Sequence, residues 1–411
     1  MEFNCLQEHQ DEILEFMRSH DYAETYVQRY RTTIKQITEN AGKNNWQSYE
    51  DVYRWYREKL YRPSYLREIK AILGKLELFH LHDLLPDGKK SLSSLRKVKP
   101  AYTKLNEEYT LLYDSFESRI SQGLKESTVA SYRTKITSFL LDLQNLGCDR
   151  LSAVTETAVL SCILKGEERK RNANVCSRLA YFFRFLSESG NSEASRILHY
   201  IPPMRFARKN IDYLTDEEIH SIREALVDTN NGLHLKDRAI GRLLLHTGMR
   251  GIDIARLQLS SIDWEMDQIS IIQSKTGQPL QLPLLPIVGN AIYDYCLNER
   301  PVSELPYIFL GNNAPHPALT TDGIAHSVKK IMAAAGIRQE KGRRRGTHIF
   351  RHHLAVTMLA NGIPQPVITE TMGHTAPESL FSYLYADIKH LRECALSVEI
   401  FPMSKEVFLL G

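Results

Sequence analysis

The six cysteines of this 411-residue chain stand far apart: Cys5, Cys148, Cys162, Cys176, Cys296 and Cys394, with no C-x-x-C pair. That scatter argues against a disulfide frame or a zinc site and fits reduced thiols. No apolar run approaches the roughly 20 residues of a membrane span, and the opening M-E-F-N-C-L-Q-E-H-Q-D-E holds no apolar signal core. A soluble, cytoplasmic protein with no membrane partner is expected. An excess of one charge is also missing: the net charge is +3, and counted by thirds no segment departs far from neutrality. A surface for a polyanion must therefore come from local clustering. Nor is there a cluster of carboxylates suited to Mg²⁺, so no metal and no cofactor is expected.

What is present is ordinary globular material, 43% hydrophobic and 25% charged, long enough for two to four domains. Apolar residues recur at three- and four-residue spacing through residues 7–20, 22–40, 48–60 and 64–80, which predicts four helices. Residues 89–100 and 200–208 read as linkers. Between them the theme repeats. Y-R-T-T-I at 30–34 is echoed by Y-R-T-K-I at 132–136, followed by breaks at Ala41-Gly42-Lys43 and Leu146-Gly147-Cys148. Two related helical domains in tandem are expected. Lys165–Arg178 gathers five basic residues at a helix start, among them Arg169, Lys170 and Arg171, and DNA backbone contact is one reading of that run.

Beyond residue 209, Thr215 and Glu218 form a capping box, and residues 235–246 a buried helix ending in T-G-M-R. Residues 269–273 and 280–285 predict a hairpin around Ser274-Lys275-Thr276-Gly277, with another short strand at 307–310. A basic loop, with Arg343, Arg344 and Arg345, leads into residues 347–387. There His348 and Arg351 share one helix face, a second helix over 365–372 ends at Gly373, and His374 and Tyr383 follow. Each residue alone has an ordinary structural reading. Together, two imidazoles, a guanidinium and a phenol suit phosphodiester chemistry, with cationic donors for the phosphoryl oxygens and a hydroxyl to attack. His352 and His353 lie off the His348–Arg351 face and read as structural. The residues alone leave Tyr383 and Tyr385 both open, since on a helix only one can face the phosphate.

The order H-T-G-M-R-G-I-D-I, Lys275 on a hairpin, H-I-F-R-H, M-G-H and Tyr383 resembles the tyrosine recombinase (phage integrase) family over residues 210–390. The resemblance implies a mainly α, multi-domain chain with a small β-hairpin or sheet in its catalytic domain. It implies a helical core-binding domain at 100–203, a mixed α+β catalytic domain at 209–395 and a tail at 396–411, while the helical domain at 1–95, a core-binding-like repeat, rests on the periodicity and the echoed motif alone. It implies that Arg250 and Arg351 clamp the scissile phosphate, with His374 a further donor. Asp253 would orient the site, Lys275 protonate the departing 5′ oxygen, and His348 assist proton transfer. Tyr383, chosen by the family's spacing, would attack and form a 3′-phosphotyrosine bond. The partner implied is double-stranded DNA with paired inverted-repeat sites, bound by a dimer to tetramer, on a mobile element. The apolar end Phe408-Leu409-Leu410 resembles a tail exchanged between protomers. Rival readings are a type IB topoisomerase and a recombinase-derived DNA-binding regulator.

Overall fold

The computed structural model describes residues 3, 5–59, 61–87, 95, 100–165, 168–202, 211–340 and 342–373. The chain divides into two compact units, Leu95–Arg208 and the pair of segments Met1–Ser94 and Lys209–Gly411. The second of these units takes in both the first and the last segment of the chain.

Among the described residues the first segment holds five helices: α1 (Cys5–Glu8), α2 (Gln10–Ser19), α3 (Glu24–Asn44), α4 (Tyr49–Glu58) and α5 (Pro63–His82). Their apolar faces bury Ile13, Leu14, Met17, Ile34, Ile69, Leu73 and Leu76. Ser48 caps α4 by accepting from the Asp51 N–H, and Pro63 opens α5, where a missing N–H costs nothing. The break expected at Ala41-Gly42-Lys43 does not occur. Helix α3 runs through Gly42 and stops at Asn45, which takes the left-handed conformation at φ 50°. An isolated glycine in a helix costs only about 1 kcal/mol against Ala, too little to end it here.

In the unit Leu95–Arg208, α6 (Glu107–Ser121), α7 (Glu126–Asn145), α8 (Glu156–Ile163), α9 (Ala173–Glu188) and α10 (Ser192–Tyr200) enclose an aromatic core. Phe116 meets Phe182 edge to face at 5.2 Å between ring centroids. Asn106, Thr155, Asn172 and Asn191 cap four of the five helices. Two short antiparallel strands, β1 (Leu164–Lys165) and β2 (Glu168–Arg169), precede α9. The basic run there is not uniform. Arg171 is buried, its guanidinium 2.9 Å from Asp142 and bonded to the carbonyls of Cys162 and Ser138, so its reading as a DNA contact is corrected to a structural one. Lys170 also reaches Asp142, at 3.0 Å, but stays exposed.

The last segment opens with α11 (Asp216–Val227), whose capping box joins Thr215 and Glu218. It continues through α12 (Leu235–Thr247), α13 (Gly251–Ala255), β3 (Ile262–Asp263), β4 (Gln268–Ile272), β5 (Pro279–Pro283), α14 (Pro286–Asn298), α15 (Thr321–Ala334), α16 (His348–Ala360) and α17 (Gln365–Met372). Helix α12 is buried on nearly every side and packs against α14, α15 and α16. The sheet is antiparallel in the order β3-β4-β5, with Ile269 opposite Leu282 and Ile271 opposite Leu280. Strand β3, two residues long, has no alternation to betray it in sequence. The strand expected at 307–310 is instead two isolated bridges, Gln258 with Tyr307 and Leu310 with Ala318. Arg338, almost fully buried, ties the basic loop to α11 through Asp212 at 2.8 Å and Glu218 at 2.7 Å. Among the described residues, no helix is long and apolar enough to cross a membrane.

Removing Arg171 leaves the Cys162 and Ser138 carbonyls without that donor and Asp142 with only the exposed Lys170. Arg171→Ala is expected to cost about 3 kcal/mol in urea denaturation, against about 0.5 kcal/mol or less for Lys170→Ala. An unchanged midpoint joined to weaker, less salt-sensitive DNA binding would return Arg171 to the DNA surface.

Candidate active site

The C-terminal end of α12 sets the first guanidinium. The helix closes at Gly248, left-handed at φ +58°, where a Cβ would come within 2.9 Å of Leu354 and 3.3 Å of Met372. Helices α16 and α17 therefore press directly on this turn. Two residues later Arg250 is extended at the N-cap of α13, its side chain half-buried. It donates through Nη1 to the Oε1 of Gln273 and through Nη2 to the Gly373 carbonyl at 3.2 Å. Two of its five N–H groups are used in this way.

Helix α13 also holds the β4–β5 turn. Buried Asp253 accepts from the Ser274 backbone N–H at 2.7 Å. The turn closes on itself through Gly277 N–H to the Gln273 carbonyl, 2.8 Å, and Gln273 N–H to the Gln278 carbonyl, 2.9 Å. Gly277 is left-handed at φ +74°, which spares the turn the cost a Cβ would bring. Lys275 stands exposed at its tip.

Arg351, one turn into α16, is buried and donates to the carbonyls of Gly248, at 3.0 Å, and Met372. The C-terminal end of α17 thus receives both guanidiniums on consecutive residues, Met372 and Gly373. Helix ends leave carbonyls unpaired and carry partial negative charge, so cations are favoured there. His348, the first residue of α16, has its pKa held below the ordinary imidazole value by burial, then by the charges of Arg351, Lys275 and Arg250. Part of it is open to solvent, yet its neighbours still desolvate it. His352 stacks near it, with ring centroids 6.2 Å apart, and is pushed down to about 4 by burial, then by His348, Arg351 and Arg344. His353 bonds through Nδ1 to the Leu214 carbonyl at 2.8 Å and joins α16 to the entry of α11.

The structure therefore gathers Arg250, Asp253, Lys275, His348 and Arg351 from three separate stretches. His374, Tyr383, Tyr385 and the tail lie outside the described residues, as does the side chain of Arg169. Arg343 and Arg344 are exposed in the loop before α16, while Arg345 is half-buried and donates to the Gln339 and Glu340 carbonyls. Two participants escaped the sequence reading, Gln273 and Gly373's exact contact with it. Gln273 is 1% exposed, and a Cβ on Gly373 would fall 1.5 Å from its amide nitrogen. The signal available was a polar residue in phase with the buried face of β4.

Residues 212–390 match the model of the phage integrase family. An integrase/recombinase of Sinorhizobium fredii is 34% identical over 164 residues, 40% of this chain and 83% of that protein. Tyrosine recombinase XerD of Lacticaseibacillus casei is 26% identical, with 66% of this chain and 92% of that protein covered. Among solved structures, XerH site-specific recombinase bound to its difH substrate covers 71% of this chain and 91% of its own, at 16% identity and a TM-score of 0.50. The Tn1549 transposon integrase in complex with circular intermediate DNA covers 68% and 95%, at 15% identity and a TM-score of 0.50. These two likenesses speak for the fold; the 34% identity across most of a relative speaks for more. The chain belongs to the phage integrase family and is a site-specific tyrosine recombinase, an enzyme that transfers DNA strands.

Proposed function

We propose that this site cuts and rejoins double-stranded DNA by attack of the Tyr383 hydroxyl on a phosphodiester. The phenolic proton passes to His348, the tyrosyl oxygen bonds to phosphorus, and the bond from phosphorus to the 5′ oxygen breaks. Lys275 gives that departing oxygen its proton. A 3′-phosphotyrosine link remains, and a second 5′ hydroxyl displaces the tyrosine by the same steps reversed. Arg250, Arg351 and His374 donate to the non-bridging oxygens as negative charge grows there. Asp253 fixes the base of the turn that carries Lys275. Arg343 and Arg344, exposed just before α16, contact backbone phosphates. The sites are paired inverted repeats bound by two to four protomers, and the reaction serves a mobile element in the cytoplasm.

What supports this reading best is the pair of guanidiniums held on the Met372 and Gly373 carbonyls, one residue before His374. Free tyrosine, with a pKa near 10, is only about 0.1% ionised at neutral pH. A neutral imidazole in a cationic field answers that need, and the lowered pKa of His348 keeps it neutral at pH 7.

A nicked duplex built from the inverted repeats beside the gene is expected to trap a denaturation-resistant adduct with wild type and none with Tyr383→Phe. If Tyr385→Phe abolishes the adduct and Tyr383→Phe does not, the nucleophile is misassigned. Arg250→Ala is expected to slow cleavage on the order of 10²-fold or more, with DNA affinity changed far less, because many basic groups share backbone binding. Equal losses in both would make Arg250 an ordinary anchor. The pH profile follows from His348: its folded pKa lies below the usual value of about 6.5, so the neutral base persists under that pH. Single-turnover cleavage is expected to keep more than half of its pH 8 rate down to about pH 6.5, with its half-point below that. A rate already halved at pH 7 would rule this assignment out.

A further inference from the structure

The Gln273 side chain touches both the lysine-bearing turn and the first guanidinium. Its Oε1 accepts from Arg250 Nη1 and from Thr276 Oγ1, the latter at 2.9 Å. Its backbone closes the turn at both N–H and carbonyl. Its amide plane lies against Gly373, where any Cβ would collide with it, and Gly373 in turn accepts from Arg250 Nη2. Arg250, Gln273 and Gly373 thus form a closed triangle of two hydrogen bonds and one close packing contact.

The amide is out of place on grounds of stability. Gln273 is 1% exposed, and among the described residues its Nε2 has no hydrogen-bond partner. A buried donor left unmatched costs free energy that an apolar side chain of the same shape would not. Methionine would fill the same space and leave nothing unsatisfied. What only the glutamine supplies is the acceptor oxygen.

We propose that Gln273 is a positioning residue: it fixes the aim of Arg250 through Oε1 and makes that aim depend on the seating of the Lys275 turn. Settling of the turn on DNA then brings the leaving-group acid and the phosphate-binding guanidinium into register together. A neutral acceptor suits the task, because it orients a guanidinium without cancelling the charge the phosphate needs. The proposal rests on the reading of Arg250 as a phosphate donor.

The test is a double-mutant cycle on the full chain, with the nicked duplex used above and single-turnover cleavage at saturating protein. Gln273→Met is expected to cleave at least ten-fold more slowly, with a Kd for the duplex within two-fold of wild type and a melting temperature no lower. In the Arg250→Ala background the same change should cost less than two-fold, since there is no guanidinium left to aim. Thr276→Val, which removes the second donor on the same oxygen, should give a smaller loss of two- to five-fold, again only while Arg250 is present. Should the Met variant fold poorly, this arm decides alone. Equal losses with and without Arg250, or wild-type cleavage by both variants, would overturn the proposal. If Arg250→Ala itself cleaves normally, the reading of Arg250 fails first and the positioning role goes with it.

Discussion

Everything in the catalytic segment hangs on the last two carbonyls of α17. Met372 and Gly373 lie at the end of a helix only eight residues long, yet they receive guanidiniums from α13 and from α16. An unpaired helix end exerts its pull only within about one turn, so both arginines must arrive within that distance. The requirement explains the crowding around Gly248 and Gly373. Each is left-handed, and each is closed on by a side chain where a Cβ would stand. Two glycines at two helix ends let three helices converge on one point.

The buried and half-buried arginines described above differ in whether a carboxylate is among the groups that accept from them. Arg171 and Arg338 meet carboxylates, and their charge is cancelled inside the fold. Arg250 meets an amide oxygen and a carbonyl, which hold its geometry and leave its charge intact. The distinction matters more than burial, for Arg338 and Arg351 are about equally hidden. It is also a distinction that composition cannot register.

That difference sets how far the sequence could be read. The helices were legible from apolar spacing, and α17 was placed to the residue because Pro364 precedes it and Gly373 ends it. Arg250, Asp253, Lys275, His348 and Arg351 were legible as an ordered set of motifs, because each sits at the end of an element whose start or stop signal is local. Arg171 was misread since its partner, Asp142, lies 29 residues away on another helix. Gln273 was missed because its partners lie 23 and 100 positions away, and its phase with the buried face of β4 was the only local sign. The helix that runs past Gly42 shows the converse: a local break signal, worth only about 1 kcal/mol, that was too weak to end it.

The antiparallel pairing of β4 with β5 acts as a length gauge for the chemistry. Side chains on a strand alternate, so Ile269 and Gln273 lie on the buried face while Ile272 between them is exposed. A slip of one residue would turn Ile272 inward and carry the amide out into water. The reach of Lys275 from the core is counted in that same parity, from Leu282 opposite Ile269 outward to the tip. Two apolar pairs in a small sheet thus measure out, residue by residue, where Lys275 stands.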